Sequence, residues 1–119
     1  MKPLIWVGSS KQDLKDFPKE VREEMGHALR VAQLGGKHLD AKPLRGFQGS
    51  GVLEIVESFE GSAYRGVYTV RYQNAVYVLH CFQKKSKAGI ATPKKEIELI
   101  HARLRRAEED YRHRKESHT

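Results

Sequence analysis

The sequence predicts an α+β domain in which a small, mainly antiparallel sheet carries helices packed on one face. Three consecutive runs within residues 52–82 are rich in aromatic and β-branched side chains, and short turn-like gaps separate them. Apolar residues recur at helical spacing on either side of these runs, over residues 18–34 and 97–111. The predicted element order is therefore β-α-α-β-β-β-α, and the sheet face without helices is expected to form a concave working surface.

The N-terminal third is expected to hold one strand and two helices. Residues 3–7 are apolar and predict the first strand. Ser10 followed by Asp13 resembles a capping box, so a short helix is expected over residues 11–16. A second helix is predicted over residues 18–34, because a proline suits its first turn and a pair of glycines follows it.

The middle of the chain is expected to form a glycine-containing loop over residues 37–51 and then three strands. These strands are predicted over residues 52–59, 64–72 and 75–82. The gap of Gln73-Asn74 between the last two predicts a tight hairpin, in which asparagine tolerates the positive φ that such a turn needs.

The last helix is predicted to begin at Thr92-Pro93, where an N-cap residue precedes a proline at the first helical position. It is expected to run to about Arg112 with a single apolar stripe. The tail over residues 112–119 is polar and is expected to fray. Because no repeat or linker interrupts the chain, residues 1–119 are predicted to form one domain.

Charge is concentrated near the C-terminus. The 119 residues include 22 Lys+Arg and 15 Asp+Glu, for a net charge of +7, and residues 84–119 hold eleven of the basic and six of the acidic residues. A basic surface attracts polyanions such as nucleic acid, although an ordinary solvated surface has the same composition. The chain contains no apolar run of bilayer length and no signal-like N-terminus, so a cytoplasmic protein is expected.

Several kinds of chemistry are not expected. The sequence contains no Walker or dinucleotide phosphate loop, and its six histidines show no pair at metal-ligand spacing. We therefore expect neither a metal nor a cofactor. Cys81, the only cysteine, lies in an apolar strand and is interpreted as a buried structural thiol rather than a nucleophile.

Strand alternation suggests a candidate surface. It places Arg65 and Arg71 on one face of the second of the three central strands, which favours an open face or its rim. The alternative for Arg65 is a salt bridge to Glu54 or Glu57 on the neighbouring strand.

Alternation also places His80 on the same face of the next strand as residues 76, 78, 82 and 84. Each candidate on these strands also has an interpretation without a functional role. Lys84 and Lys85 would serve only solubility, His80 would be a hydrogen-bonded core histidine, and Tyr68 would be a packed aromatic residue.

Five motifs occur along the chain in a characteristic order: Leu44-Arg45-Gly46, Leu53-Glu54, Tyr64-Arg65-Gly66-Val67-Tyr68, Val78-Leu79-His80-Cys81-Phe82-Gln83-Lys84-Lys85-Ser86 and Thr92-Pro93-Lys94-Lys95-Glu96-Ile97. Together they resemble the RelE/HigB-like toxins of toxin–antitoxin systems, and above all their phage-derived branch. The resemblance implies a small α+β toxin, neutralised by a helix-turn-helix antitoxin. Most such toxins cut messenger RNA, often on the ribosome, whereas ParE-like relatives poison DNA gyrase.

The resemblance also implies roles for individual residues. Arg65 would contact the scissile phosphate, Lys85 or its neighbour Lys84 would stabilise the transition state, and Arg45 would position the RNA backbone. Metal-independent cleavage needs such cations together with a base and an acid.

The remaining roles are less sharply fixed by the resemblance. Arg71 and Lys87 are further RNA-binding candidates, and His80 and Tyr68 are candidates for the general acid and base. The basic residue that many relatives carry on the second strand is missing, since this chain has Glu54-Ile55-Val56 there. The alternative function is therefore a binding toxin without catalytic activity, such as a gyrase inhibitor, or a catalytically lapsed domain that only binds a partner.

Overall fold

The computed structural model of the chain describes residues 1–47, 49–84 and 92–117. The predicted α+β fold class is confirmed: the described residues form a mixed sheet of five strands with three helices. In chain order the elements are β1 (Leu4–Trp6), α1 (Ser10–Lys15), α2 (Lys19–Gln33), β2 (Lys42–Pro43), β3 (Val52–Phe59), β4 (Ser62–Thr69), β5 (Val76–Lys84) and α3 (Lys94–Ser117). None of the helices in this described part of the chain is long and apolar enough to cross a membrane.

The sheet has the strand order β1-β5-β4-β3-β2. The β1 strand runs parallel to β5, while the other three pairings are antiparallel. The short β2 strand lies inside the segment predicted as a loop, where Lys42 and Pro43 pair with Glu54 and Leu53. The antiparallel core of the sheet thus consists of β3, β4 and β5, the three strands that the sequence pattern predicted.

Helices cover both faces of this sheet, so the prediction that they pack on one face is wrong. Residues of α1 and α2, such as Leu14 and Met25, share a core with Ile55 and Val78. On the opposite face α3 contributes to a second core, whose members from that helix are Ile100, Leu104 and Ala107. The apolar stripe of α3 is excluded from water by packing on the sheet face that α1 and α2 do not cover.

The tight hairpin lies between β3 and β4 rather than between β4 and β5. Phe59 pairs with Ser62, and the two residues between them both have positive φ, 48° at Glu60 and 81° at Gly61. This combination is the signature of a type I′ turn. The prediction at Gln73-Asn74 is wrong, because residues 70–75 leave the ladder and Asn74 is not among the described residues with positive φ.

The departure of residues 70–75 from the sheet has a packing reason. The Tyr72 ring is buried beneath α3, 4.5 Å from the Tyr111 ring and 5.4 Å from the Tyr77 ring between centroids. Farther along, the Tyr77 hydroxyl donates a 2.6 Å hydrogen bond to Asp110. These contacts help to fix α3, which continues to Ser117, five residues past the predicted end.

The helix starts differ from their predictions in detail. Ser10 does not cap α1, because its hydroxyl is buried and donates to the Val78 carbonyl at 3.1 Å. Ser9 is the residue before the helix, and its hydroxyl donates to the Asp13 carboxylate at 2.7 Å. At α3 the Thr92 hydroxyl is likewise used elsewhere, as described below.

A β-bulge in β5 decides which side chains reach which face. Tyr68 pairs with Val78 and Val67 pairs with His80, so Leu79 has no opposite residue. One extra residue shifts the alternation by one position. Val78 therefore lies in the core beneath α1 and α2, while His80 turns toward α3. The prediction that both lie on one face is wrong for this reason.

Candidate functional site

The candidate site lies on the sheet face beneath the start of α3, which we call the α3 face. It is defined by Glu54, Arg65, His80 and Phe82 from β3, β4 and β5. Within the ladder Arg65 is directly opposite Phe82. The first turn of α3 and the residue Thr92 before it lie over these side chains.

Arg65 is buried in an ion pair. It is 4% exposed, and its Nη1 atom donates to the Glu54 carboxylate at 3.0 Å and to the Thr92 hydroxyl at 3.4 Å. The Thr92 hydroxyl in turn donates to the same Glu54 oxygen at 2.8 Å. The salt bridge to Glu54, which was one alternative from the sequence, is therefore present. Glu57 pairs with Tyr64, one position out of phase with Arg65, and so points to the other face.

His80 is buried on the same face with both ring nitrogens engaged. Its Nε2 atom contacts the Glu96 carboxylate, and its Nδ1 atom lies 3.3 Å from Nη1 of Arg103. Burial lowers the pKa of His80, and the Arg103 charge acts in the same direction against the opposing effect of Glu96. The ring also stacks on Phe82 with 4.7 Å between the centroids. His80 is therefore hydrogen-bonded at both ring nitrogens, and its lowered pKa favours the neutral imidazole.

Arg103 is a buried member of the site that the sequence reasoning missed. Its Nη1 atom donates to the Leu79 carbonyl at 2.9 Å, and its Nη2 atom donates to the Ser9 hydroxyl at 3.3 Å. The guanidinium lies so close to Gly8 that a Cβ atom there would be 2.9 Å from it. No spacing rule joins positions 9, 80, 96 and 103, because these residues meet only after α3 packs on the sheet.

A comparison with protein families identifies the kind of protein that this site belongs to. The family described as phage-derived protein Gp49-like (DUF891) matches residues 12–105, a range that includes Arg65, His80, Glu96 and Arg103. The chain belongs to this Gp49-like family. The family is in general one of RelE/ParE-like toxins, so the resemblance noted from the sequence is confirmed at that level. No curated protein matches the chain significantly.

The other basic candidates of this Gp49-like chain occupy different places. Lys84 is the last residue of β5 and is half-buried opposite Ala63. Arg45 and Arg71 are exposed, the first in a turn before β3 and the second with its guanidinium 6.0 Å from the centre of the Tyr72 ring. The predicted residues Lys85 and Lys87 lie outside the described residues.

Tyr68 and Cys81 lie on the opposite face from His80. Both belong to the core beneath α1 and α2. Burial raises the pKa of Tyr68 to about 12, and its hydroxyl has no hydrogen-bond partner among the described residues. Burial likewise raises the pKa of Cys81 to about 12, and the prediction of a buried thiol is confirmed. The fold thus brings His80, but not Tyr68, to the face that carries Arg65.

One group of residues with metal-binding side chains occurs in the Gp49-like chain, away from this face. Ligand atoms of Glu24, His38 and Asp40 lie within 4.8 Å of one another in the described structure. The His38 Nε2 atom is 2.7 Å from the Glu24 carboxylate, and its Nδ1 atom accepts the Asp40 backbone N–H at 3.1 Å. Both nitrogens of this ring are therefore engaged: the Nε2 contact joins the loop to α2, and the Nδ1 bond lies within the loop.

Proposed function

We propose that this protein is the toxin of a toxin–antitoxin pair and that it cleaves messenger RNA by a metal-independent reaction. Membership of a RelE/ParE-like toxin family supports the first part of the proposal. The observation that supports the second part is that the cation Arg65 and the His80–Glu96 pair share the α3 face near the start of α3. The antitoxin that fits the resemblance is a small helix-turn-helix protein, and the ribosome is the expected setting for cleavage.

The spacing on the α3 face suits a phosphodiester. Arg65 is opposite Phe82, and His80 is two residues from Phe82 on the same face. Diagonal neighbours of this kind in an antiparallel pair are about 7–8 Å apart. Attack of a 2′-hydroxyl on the adjacent phosphate needs a proton acceptor at the nucleophile and positive charge at the phosphorane. His80 with Glu96 supplies the first requirement, and Arg65 with Lys84 or Lys85 supplies the second.

A toxin that binds its target without cutting RNA is the second candidate. The observation that favours it is the pairing of Arg65 with Glu54, since a buried cation that is already neutralised is less available to a phosphate. In that case the α3 face would be structural, and inhibition of a target such as gyrase would depend on another surface.

Induced expression in a bacterial host, with mapping of new RNA 5′ ends, tests the proposal. Wild type is compared with Lys84→Gln, Lys85→Gln and the double variant Arg65→Met/Glu54→Leu. The double variant removes the Arg65 cation together with its buried partner, so that no unpaired charge remains inside the protein. Loss of one transition-state cation typically costs about 10²–10³ in rate, which should abolish both growth arrest and new RNA ends.

Each outcome separates the candidates. Growth arrest with RNA cuts that disappear in the double variant supports the nuclease. Arrest without new RNA ends contradicts the nuclease and supports the binding toxin. The absence of arrest with folded wild-type protein contradicts both forms of toxin. Circular dichroism of the purified double variant shows whether its fold is retained.

A further inference from the structure

The row formed by Arg103, His80 and Glu96 fixes the position of a proton. A guanidinium group can only donate hydrogen bonds, so the His80 Nδ1 atom that faces it must hold a lone pair. In a neutral imidazole the proton then lies on Nε2, which faces the Glu96 carboxylate. In this arrangement neither ring nitrogen of His80 offers a free lone pair to a substrate.

We propose that Arg103 is a positioning residue that holds His80 in the Nε2–H form, so that Glu96 is the group that takes the proton from the attacking 2′-hydroxyl. This inference rests on the proposed RNA cleavage and names the residue that performs its first proton transfer. His80 then serves Glu96 as a fixed hydrogen-bond donor.

Arg103 is held firmly enough for this role. The side chain is 9% exposed, and besides His80 it bonds the Leu79 carbonyl and the Ser9 hydroxyl. Leu79 is the extra residue of the β5 bulge, so its carbonyl is turned out of the regular ladder. The close approach to Gly8 closes the remaining side. Rotation of the guanidinium away from His80 would break all of these contacts.

Glu96 is more accessible to a substrate than His80. Its side chain is 24% exposed, against 8% for His80. Both residues line an open pocket of about 340 Å³, together with Asp13 and Asp16 of α1 and its following turn. The charged groups that act on His80 are Glu96 and Arg103 from α3 and Asp13 from α1.

The proposed step balances as follows. Glu96 accepts the 2′-hydroxyl proton while the oxygen's electron pair forms a bond to phosphorus. The bond from phosphorus to the 5′-oxygen breaks, and the leaving oxygen takes a proton from water. Protonated Glu96 then returns its proton to the hydroxide that remains. The products are a 2′,3′-cyclic phosphate and a 5′-hydroxyl end.

Nitrogen NMR of the histidine rings in the full chain tests the positioning role without any substrate. Wild-type His80 should show a protonated Nε2 and an unprotonated Nδ1 at pH 7. Arg103→Gln removes a positive charge beside the ring, so His80 should titrate at a higher pH than in wild type. Arg103→Lys should restore much of the difference, and Arg105→Gln, at an exposed position on the same helix, should leave the titration unchanged.

The wild-type tautomer alone can overturn this part, so the test does not depend on a folded variant. A protonated Nδ1 in wild type would contradict the role of Arg103. An unchanged titration in folded Arg103→Gln would contradict it as well.

Cleavage of an RNA oligonucleotide by the purified chain tests the role of Glu96. Glu96→Gln should lower the rate by about 10²–10⁴, the usual contribution of a proton-transfer group. His80→Gln keeps an N–H donor near Glu96 and should lower the rate by less than about tenfold, as expected for one weakened hydrogen bond. A larger loss in His80→Gln than in Glu96→Gln would overturn the assignment. The variants are compared on the free oligonucleotide or on a messenger RNA bound to ribosomes, whichever the wild type cleaves. Wild-type protein that cleaves neither would overturn the proposed function and the Glu96 role together, while the NMR result still decides the Arg103 role.

Discussion

The guanidinium of Arg65 and the carboxylate of Glu54 neutralise each other inside the protein, with 5% and 15% of the two side chains exposed. Bringing both charges out of water costs several kcal/mol per ion, and their mutual attraction roughly offsets that cost. The pair therefore contributes little net stability, but the removal of one partner leaves the other uncompensated. Arg65, for which the family resemblance implies a phosphate contact, is thus also a buried residue whose charge is neutralised inside the protein.

At this scale we predict that Glu54→Leu destabilises the protein by about 3–5 kcal/mol, because it leaves Arg65 buried without its counter-ion. The double variant Arg65→Met/Glu54→Leu should recover most of that loss. Urea unfolding followed by circular dichroism measures both values.

A matched control for this experiment is Glu23→Leu. The Glu23 side chain is 67% exposed, and its ion pair with Lys19 is at the 4.0 Å limit, so its removal should cost less than about 0.5 kcal/mol. A double variant that is as unstable as Glu54→Leu would show that the two charges act independently.

Among the elements, the β3–β4 hairpin and the β5 bulge have the greatest effect on the site. The hairpin sets the register that pairs Val56 with Arg65. Glu54, two residues before Val56, is therefore a diagonal neighbour of Arg65 on the same face. The bulge then turns His80 toward the same face. Gly66 adds a close approach, since a Cβ atom there would lie 3.1 Å from the Met25 sulfur, so β4 has little room for a larger residue beneath α2.

The hairpin yields a prediction at the element scale. Glu60 has a φ of 48°, which costs an ordinary L-residue roughly 1–2 kcal/mol. Asparagine is the preferred residue at this position of a type I′ turn. Glu60→Asn should therefore raise the unfolding free energy by about 0.5–1 kcal/mol, measured by thermal or urea unfolding. If Glu60→Asn is neutral and Glu60→Gly is stabilising, the strain comes from the Cβ atom at positive φ and asparagine hydrogen bonding does not relieve it. If both variants are destabilised, the turn assignment is contradicted.

The molecule as a whole is a sheet between two helical layers with a net charge of +7. Because α3 packs on the second face, the described sheet has no open concave face. The proposed RNA substrate would therefore bind at the margin around the start of α3. Lys84 lies at this margin, at the end of β5. A polyanion would approach here under the attraction of the whole charge distribution.

Salt dependence provides the prediction at this scale. Binding of single-stranded RNA should weaken as salt rises, with a slope of log K against log salt of about −0.7 for each phosphate contact. Lys84→Gln should make the slope less negative by about 0.7. Lys19→Gln, on α2 with a side chain 75% exposed, is the control and should leave the slope unchanged. Fluorescence anisotropy of a labelled oligonucleotide measures the slopes, and binding that ignores salt would exclude a phosphate-contacting surface.

Local sequence patterns were enough to predict the α+β class, β3 and the approximate extents of the helices. Apolar side chains at a spacing of three and four residues indicate an amphipathic helix from the local sequence alone. Runs of β-branched and aromatic residues between turn formers specify strands in the same way. The toxin family was also visible, since its motifs are short contiguous stretches. A salt bridge of Arg65 was one alternative from the sequence, but the choice between Glu54 and Glu57 came from the register of β3 and β4.

The sheet faces and the bonding partners of these residues depend on contacts that exist only in the folded chain. One extra residue in β5 reverses the alternation of side chains between the two sheet faces after Val78. No local sequence pattern predicts such a bulge. The helix α3 packs on the second face of the sheet because α1 and α2 cover the first. Arg103 and Glu96 joined His80 from positions 16 and more residues away, through side-chain contacts that form only when α3 is in place. Position in a sequence pattern fixes local conformation, but the charge state and role of a buried group depend on neighbours that folding brings to it.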